Sequence, residues 1–315
     1  DVRRLLPMDR CIDLMADALG GLARGEAMNP LRAGYRLPSG KGLIAAMPGA
    51  LGYGPFGAKL ISVFPGNREV GLESHQGLIV LFDGEHGAPT AIVDAAAVTE
   101  IRTAAVSGVA TRTLAREDAH DLAILGSGTQ ALSHLEAILA VRPLTRIRAW
   151  SPTRTRLEAF ASLASEHGKV GMAASAREAV EGADIVCTVT ASADPVLLGE
   201  WLSDGAHVNA VGSSVASARE LDAEAVRRSR FFVDRRESAV NESGDLLFAI
   251  REGVVDASHV VGELGEVLIG TTEGRQTADQ ITVFESLGLA VEDLAAAAFV
   301  VEQARIQDMG SVLEL

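Results

Sequence analysis

Basic side chains are scarce in this 315-residue chain: 28 Lys and Arg stand against 42 Asp and Glu, a net charge of −14. That balance repels nucleic acid and anionic lipid, both of which are bound mainly through Lys and Arg. A local basic pocket for a small anion stays compatible with it. No uncharged apolar run reaches the ~18 residues of a membrane span; the most apolar late stretch, Leu287 to Val301, is interrupted by Glu292 and Asp293. Neither nucleic acid nor membrane is therefore an expected partner.

Cysteine is nearly absent. Cys11 and Cys187 lie far apart in the chain, which excludes a disulfide framework and suits a reducing compartment. The first residues, Asp1 to Arg4, are charged and do not read as a signal peptide, so the cytoplasm is the expected location. The seven histidines show no HExxH and no paired Cys/His spacing, so no metal site is expected. Internal repeats and low-complexity linkers are also missing.

What is present is ordinary globular composition, 48% hydrophobic and 22% charged, in a chain long enough for two domains. Apolar positions Leu5, Met8, Ile12, Met15 and Leu19 predict a helix over about 1–25. Glycines and arginines from Asn29 to Pro48 predict strands joined by turns. Further strands are predicted at Lys59 to Phe64, Gln76 to Asp83 and Ala91 to Val93, the last two joined by the turn Gly84-Glu85-His86-Gly87. Thr103 to Leu114 predicts an Ala-rich helix.

After Asp118 strands and helices alternate: strand 121–125, helix 130–141, strand 146–150, helix 154–167, helix 176–181, strand 185–190, strand 207–211, helix 223–228 and strand 230–233. This is the pattern of a parallel sheet. The tail from Ser286 reads as helical. The expected fold class is α/β, a Rossmann dinucleotide-binding domain plus an α+β substrate-binding and dimerisation domain. The Rossmann domain is expected over 116–290, with the other formed by 1–115 and 291–315.

A GxG pair alone says little, because glycines end many strands. Here the apolar strand LAIL runs directly into GSGTQA, and a helix follows. Gly126 permits the tight turn, Gly128 lets the backbone approach a pyrophosphate, and Ala131 allows close helix–strand packing. Ser127, Thr129 and Gln130 complete the turn at the helix N-terminus, where amide donors meet an anion.

About 20 residues further on, an NAD enzyme usually places an acid on the ribose 2′-hydroxyl. Here the second strand ends Ala149-Trp150-Ser151-Pro152-Thr153-Arg154, without one. Ser151, Thr153 and Arg154 suit a 2′-phosphate, so NADP(H) is favoured, with NAD(H) the alternative. The competing reading makes Arg154 a solvated first-turn residue.

Three basic residues stand out in the other domain. Arg102 lies where a strand region gives way to an apolar helix, Arg32 follows Pro30, and Lys59 heads the apolar run LISVF. An isolated buried charge is expensive, so each either reaches solvent or meets an anion.

Over nearly its whole length the chain resembles the ornithine cyclodeaminase/mu-crystallin family. The segments that carry the resemblance are NPLR at 29–32, AAMP at 45–48, GAKLISVF at 57–64 and ESHQGLIVLFD at 73–83. They continue with TEIRTAAVSGVAT at 99–111, LAILGSGTQA at 122–131, HVNAVGSS at 207–214 and VDRRESAVNESGD at 233–245. GELGEVLIG at 262–270 and GRQTADQITVFESLGLA at 274–290 complete them.

The resemblance implies a homodimer whose first domain, completed by the C-terminal helix, binds substrate and forms the subunit contact. It implies that Arg32 and Arg102 bind a substrate carboxylate and that Lys59 exchanges a proton beside the reacting carbon. Ser74 and His75 would line the nicotinamide and substrate, and Glu242 would stand near the substrate. Thr190, Val211, Ser213 and Ser286 would contact the cofactor.

Two positions depart from the cyclodeaminases of the family, which carry a glutamate where this chain has Ala45 and an aspartate where it has Ser214. Losing both acids argues against binding a protonated amino acid. It suits hydride delivery to the C=N carbon of a small cyclic imino acid, of the ketimine, pyrroline-2-carboxylate or piperideine-2-carboxylate type. The alternatives are an ornithine cyclodeaminase or an NAD-dependent alanine-type dehydrogenase acting on an amino acid. A third is a crystallin-like cofactor-binding protein without turnover, which retention of Lys59 beside both arginines disfavours.

Overall fold

Two kinds of apolar pattern build two different sheets. The computed structural model describes residues 1–52 and 54–312, which form two compact units, 1–102 with the chain from Leu289 onward, and 103–288. The helix Ala95–Leu114 straddles the boundary at 102/103.

In the first unit, strands apolar on both faces make an antiparallel sheet of six strands: β1 (Ala27–Met28), β2 (Ala33–Arg36), β3 (Leu43–Leu51), β4 (Phe56–Val63), β5 (His75–Phe82) and β6 (Pro89–Asp94). Its order is β1-β3-β4-β5-β6, with β2 also paired to β3. Because side chains alternate across a strand, Ala45, Met47, Lys59, Ile79, Leu81 and Val93 fall on the buried face. The C-terminal helix Ala290–Ile306 packs over β3, β4 and β5. A Cβ on Gly49 would meet Ala290 Cβ at 3.1 Å, so a bare glycine lets the helix lie close to the sheet.

The opposite face is exposed and apolar: Tyr35, Ile44, Leu60, Leu78 and Ile92 all present to solvent from paired strands. A groove of about 780 Å³ on this unit is lined by Ile44, Leu60, Ser62, Leu72, Gln76 and Leu78, among others.

The predicted N-terminal helix is two helices, Val2–Leu5 and Met8–Ala23. Pro7 has no amide to donate to an earlier turn, and its extended backbone restarts the chain as the N-cap of the second helix.

The second unit is an eight-stranded parallel sheet: β7 (Asp121–Leu125), β8 (Arg146–Trp150), β9 (Val170–Met172), β10 (Ile185–Thr188), β11 (His207–Ala210), β12 (Ser229–Val233), β13 (Val260–Glu263) and β14 (Ile281–Glu285). The order β13-β12-β14-β11-β10-β7-β8-β9 contains the Rossmann arrangement, with the reversal of strand order between β7 and β10. Helices cover the sheet, so β7, β10 and β11 are buried along their whole length, and β7 and β10 read as largely apolar runs.

Several predicted boundaries shift, among them the strand predicted from Lys59, which begins at Phe56. The helix predicted from Thr103 begins at Ala95; the one over 154–167 is α-helical only at Arg154–Leu163, then tightens to a 3-10 turn at Ala164–His167. The tail helix begins at Ala290, because Ser286 to Leu289 form the loop leaving β14. Among the described residues no helix is long and apolar enough to cross a membrane.

Candidate active site

Lys59 sits mid-strand in β4, paired with Met47 of β3 and Ile79 of β5, and its side chain is 3% exposed. Burying an ammonium is tolerable only with a counter-charge. Asp293 supplies it, with Oδ2 at 2.6 Å from Nζ, and Thr99 Oγ1 lies at 3.4 Å. Burial lowers the Lys59 pKa to about 8; Asp293 opposes the fall, while Arg102 and Arg32 add to it. Lys59 is therefore close to the balance between ammonium and amine at neutral pH, as a proton-transfer group requires.

Arg102 is equally buried. Its Nε donates to Asp293 Oδ1 at 2.8 Å and its Nη1 to Glu292 Oε2 at 2.8 Å. Burial alone would raise the Asp293 carboxyl, yet the charges of Arg102 and Lys59 outweigh it and hold the group below its ordinary range. The same two acids open the C-terminal helix: Glu292 Oε2 also accepts Leu289 N–H, and Asn29 Oδ1 accepts Val291 N–H at 3.1 Å. That last bond ties the segment bearing Arg32 to the helix start.

Arg32 is half-buried, and its charge is felt at Lys59. Three cationic side chains, Lys59, Arg102 and Arg32, thus act on one another around Glu292 and Asp293. Ser74 is buried just before β5 and its Oγ lies 3.0 Å from Nδ1 of the exposed His75. Ala45 pairs with Ile61, on the same buried face as Lys59.

The second unit carries the dinucleotide features. Gly126 follows β7 with φ of 122°, donates its N–H to Trp150 O, and a Cβ there would meet Val189 O at 2.7 Å. Only glycine fits this turn. At Gly128 an added Cβ meets nothing within 4 Å, so the turn faces open space at the N-terminus of the helix Thr129–Val141. Ala131 is fully buried against the sheet. Two buried polar atoms in the second unit, Gln130 Oε1 and Ser286 Oγ, have no hydrogen-bond partner among the described residues. Such atoms cost free energy unless a ligand satisfies them, and with the bare glycine turn they fit a dinucleotide.

Thr190, in the turn after β10, is half-buried and donates its N–H to Glu220. Val211 N–H bonds Thr188 O, while the buried Ser213 spends its hydroxyl on Ala218 O. At the end of β8, Ser151 is half-buried, Thr153 is the N-cap of the helix Arg154–Leu163, and the exposed Arg154 pairs with Glu158 at 2.8 Å. Glu242 is half-buried at the end of the helix Arg236–Glu242.

Sequence reasoning missed Glu292 and Asp293 as site residues and read them only as breaks in an apolar run. The available signal was their cost: two adjacent acids in an Ala/Val-rich helix must meet cations if they are buried.

The ornithine cyclodeaminase/mu-crystallin family model matches residues 1–308. The mouse ketimine reductase mu-crystallin is 39% identical over 277 residues, spanning 88% of this chain and 85% of the relative. A Delta(1)-pyrroline-2-carboxylate reductase of Bacillus cereus is 36% identical over 99% of this chain and 97% of its own. The solved structure of the Thermococcus litoralis Delta(1)-pyrroline-2-carboxylate reductase, in complex with NADH and L-proline, superposes with a TM-score of 0.96. It shares 36% identity and covers 99% of this chain and 98% of that one. The phosphate turn, the buried lysine and these relatives agree: the chain belongs to the ornithine cyclodeaminase/mu-crystallin family.

Proposed function

We propose that the protein is an NAD(P)H-dependent reductase of a small cyclic imino acid, of the ketimine, pyrroline-2-carboxylate or piperideine-2-carboxylate type. The observation that carries this reading is Lys59, buried in the sheet at 2.6 Å from Asp293 with a pKa near 8. A bound reduced nicotinamide supplies hydride to the C=N carbon, and the chain's task is to place and protonate the imine.

Arg32 and Arg102 bind the substrate carboxylate through their guanidinium donors. Arg102 is pre-positioned, since Glu292 and Asp293 already hold its fork, and little ordering remains to be done on binding. Lys59 gives its proton to the imine nitrogen, and Asp293 stabilises the ammonium before transfer. Reduction thus adds one hydride at carbon and one proton at nitrogen, giving the amine. Ser74, His75 and Glu242 are assigned to the substrate's surroundings. Ala45, an uncharged methyl on the Lys59 face, supports an imine over a substrate carrying a second cationic amine.

Gly126, Ser127, Gly128, Thr129 and Gln130 are assigned to the pyrophosphate, and Thr190, Val211, Ser213 and Ser286 to the nicotinamide end. The acid-free end of β8 supports NADP(H), with Ser151, Thr153 and Arg154 on the 2′-phosphate. Arg154 would exchange or share its Glu158 partner on binding. The apolar outer face of the antiparallel sheet supports a homodimer, because a second copy would cover it. Cys11 and Cys187, both free and buried, fit a cytoplasmic protein.

The test mixes the pure protein with NADPH or NADH and a panel of cyclic imino acids, following the absorbance of the reduced nicotinamide. Oxidation with pyrroline-2-carboxylate or piperideine-2-carboxylate is expected. Release of ammonia and proline from ornithine, without imine reduction, would overturn the reading.

A further inference from the structure

A chain of buried carboxyl groups braces the carboxyl edge of the parallel sheet. Glu220, fully buried, accepts the Thr190 N–H at 2.6 Å and the Gly212 N–H at 2.6 Å. These amides belong to the turns that follow the neighbouring strands β10 and β11, so one side chain staples two turns together. The turns approach closely: a Cβ on Gly212 would lie 2.1 Å from Thr190 O and 2.6 Å from the Glu220 carboxyl carbon.

Glu220 is itself held from behind. Asp245 Oδ1 accepts the N–H of Glu220 at 2.8 Å and of Leu221 at 2.7 Å. Asp245 lies in the first turn of the helix Gly244–Arg251, whose N-cap Ser243 donates its hydroxyl to Glu285 Oε1 at 2.8 Å. Glu285 ends β14, and its side chain is hydrogen-bonded to Asp245. The second oxygens of both, Asp245 Oδ2 and Glu285 Oε2, are buried and have no other partner among the described residues.

The charged groups that act most strongly on this pair are acids, Glu220 and Asp234. Asp234 ends at the same edge and accepts the N–H of Leu287 and Gly288 at 2.7 Å each. With acids as its strongest charged neighbours, a buried carboxyl pair in contact resists double ionisation, so it keeps one shared proton until the pH passes its raised range.

We propose that Glu220 is a positioning residue for the dinucleotide, and that Asp245 and Glu285 hold it in place by sharing one proton. The inference rests on assigning the Thr190 and Val211–Ser213 turns to the cofactor. Glu220 touches no reacting atom; it fixes the two turns that do the binding.

The arrangement has a pH consequence. Burial, reinforced by Glu220, raises Asp245 to about 7, and burial with Asp245 raises Glu285 well above its ordinary range. A carboxyl raised in the folded state stabilises it at low pH, and that contribution is lost as pH rises from the ordinary carboxyl range through the raised value. Loss of the shared proton sets two anions against each other beneath the Glu220 backbone. Nucleotide binding then weakens on the alkaline side.

The experiment measures dissociation constants for NADPH and NADH by the fluorescence of the bound reduced nicotinamide, from about pH 6 to about pH 9. Glu220→Gln loses its charge and one of two acceptors, and should weaken binding about tenfold. Glu220→Asp should lie between it and the unaltered protein. Glu285→Gln replaces a shared proton with a permanent donor, so its affinity at about pH 6 should be native and its alkaline decline absent.

Nucleotide affinity unchanged in Glu220→Gln overturns the positioning role, as does failure of both Glu220 variants to fold. An undiminished alkaline decline in Glu285→Gln overturns proton sharing. Failure of both Glu285→Gln and Asp245→Asn to fold overturns it too, since one of those amides must mimic the protonated partner. Absence of nucleotide binding by the unaltered chain would sink the cofactor assignment as well, which separates the two failures.

Discussion

The two units bury carboxyl groups equally deeply and treat them in opposite ways. In the first, Asp293 lies between Lys59 and Arg102, and two cations hold it ionised against the pull of burial. In the second, the strongest charge acting on Asp245 is Glu220 and on Glu285 is Asp245, both acids, and burial wins. Depth alone therefore does not set the protonation state; the sign of the nearest charge does. The difference also sorts roles. A carboxylate kept charged beside a lysine near pH 8 can manage a proton, whereas a carboxyl pair with one proton between them can brace a backbone.

The sharpest way to break this comparison is to remove the cation. Lys59→Met should lower imine turnover about 10³-fold or more, the scale of a lost general acid, while NADPH binding stays within about twofold of native. Equal turnover in the variant would take Lys59 out of the mechanism. Removing the anion instead leaves two buried cations short of charge. Asp293→Ala should cost about 3–5 kcal/mol in denaturant unfolding; a loss under about 1 kcal/mol would show that the ion cluster is not held as described.

Two smaller effects test what surrounds the clusters. Leu78→Asp puts a charge in the exposed apolar face of the antiparallel sheet, and light scattering should then report a monomer. A persisting dimer would place the subunit contact elsewhere. Arg154→Ala should weaken NADPH by about tenfold or less and leave NADH unchanged. Equal effects on both nucleotides would remove Arg154 from 2′-phosphate recognition.

Much of the parallel unit was legible in the sequence because its strands are buried on both faces. LAIL and HVNA read as strands without help, and the glycine turn announced the helix that follows. β14, whose sequence is ITVFE, was missed although it is wholly buried between β11 and β12. Its five residues emerge from a long polar loop and stop at Glu285, so no period marks them. β13 was lost for a similar reason, and β9, at three residues, is too short for any alternation. In the antiparallel unit the apolar runs LISVF and GLIVLF exposed β4 and β5, with Lys59 as the odd charge on the buried face.

The sites were legible only where one segment holds the signal. Lys59 and Arg102 stand out because a charge interrupts an apolar pattern. Their partners lie about two hundred residues away in the chain, a pairing that local spacing cannot reveal. The Glu220–Asp245–Glu285 chain was invisible for the same reason, since it is assembled by crossovers of a parallel sheet. Each acid taken alone looks like a surface residue.

The most direct test of the central claim is the pH dependence of kcat/KM for imine reduction, in the native protein and in Lys59→Arg. In the proposed mechanism the protonated amine is the active form, so activity that depends on it should fall as pH rises through about 8. A guanidinium does not titrate in that range, so the fall attributable to Lys59 should vanish in the variant, leaving only the substrate's own titration. Identical alkaline profiles for the two proteins would contradict a proton delivered by Lys59.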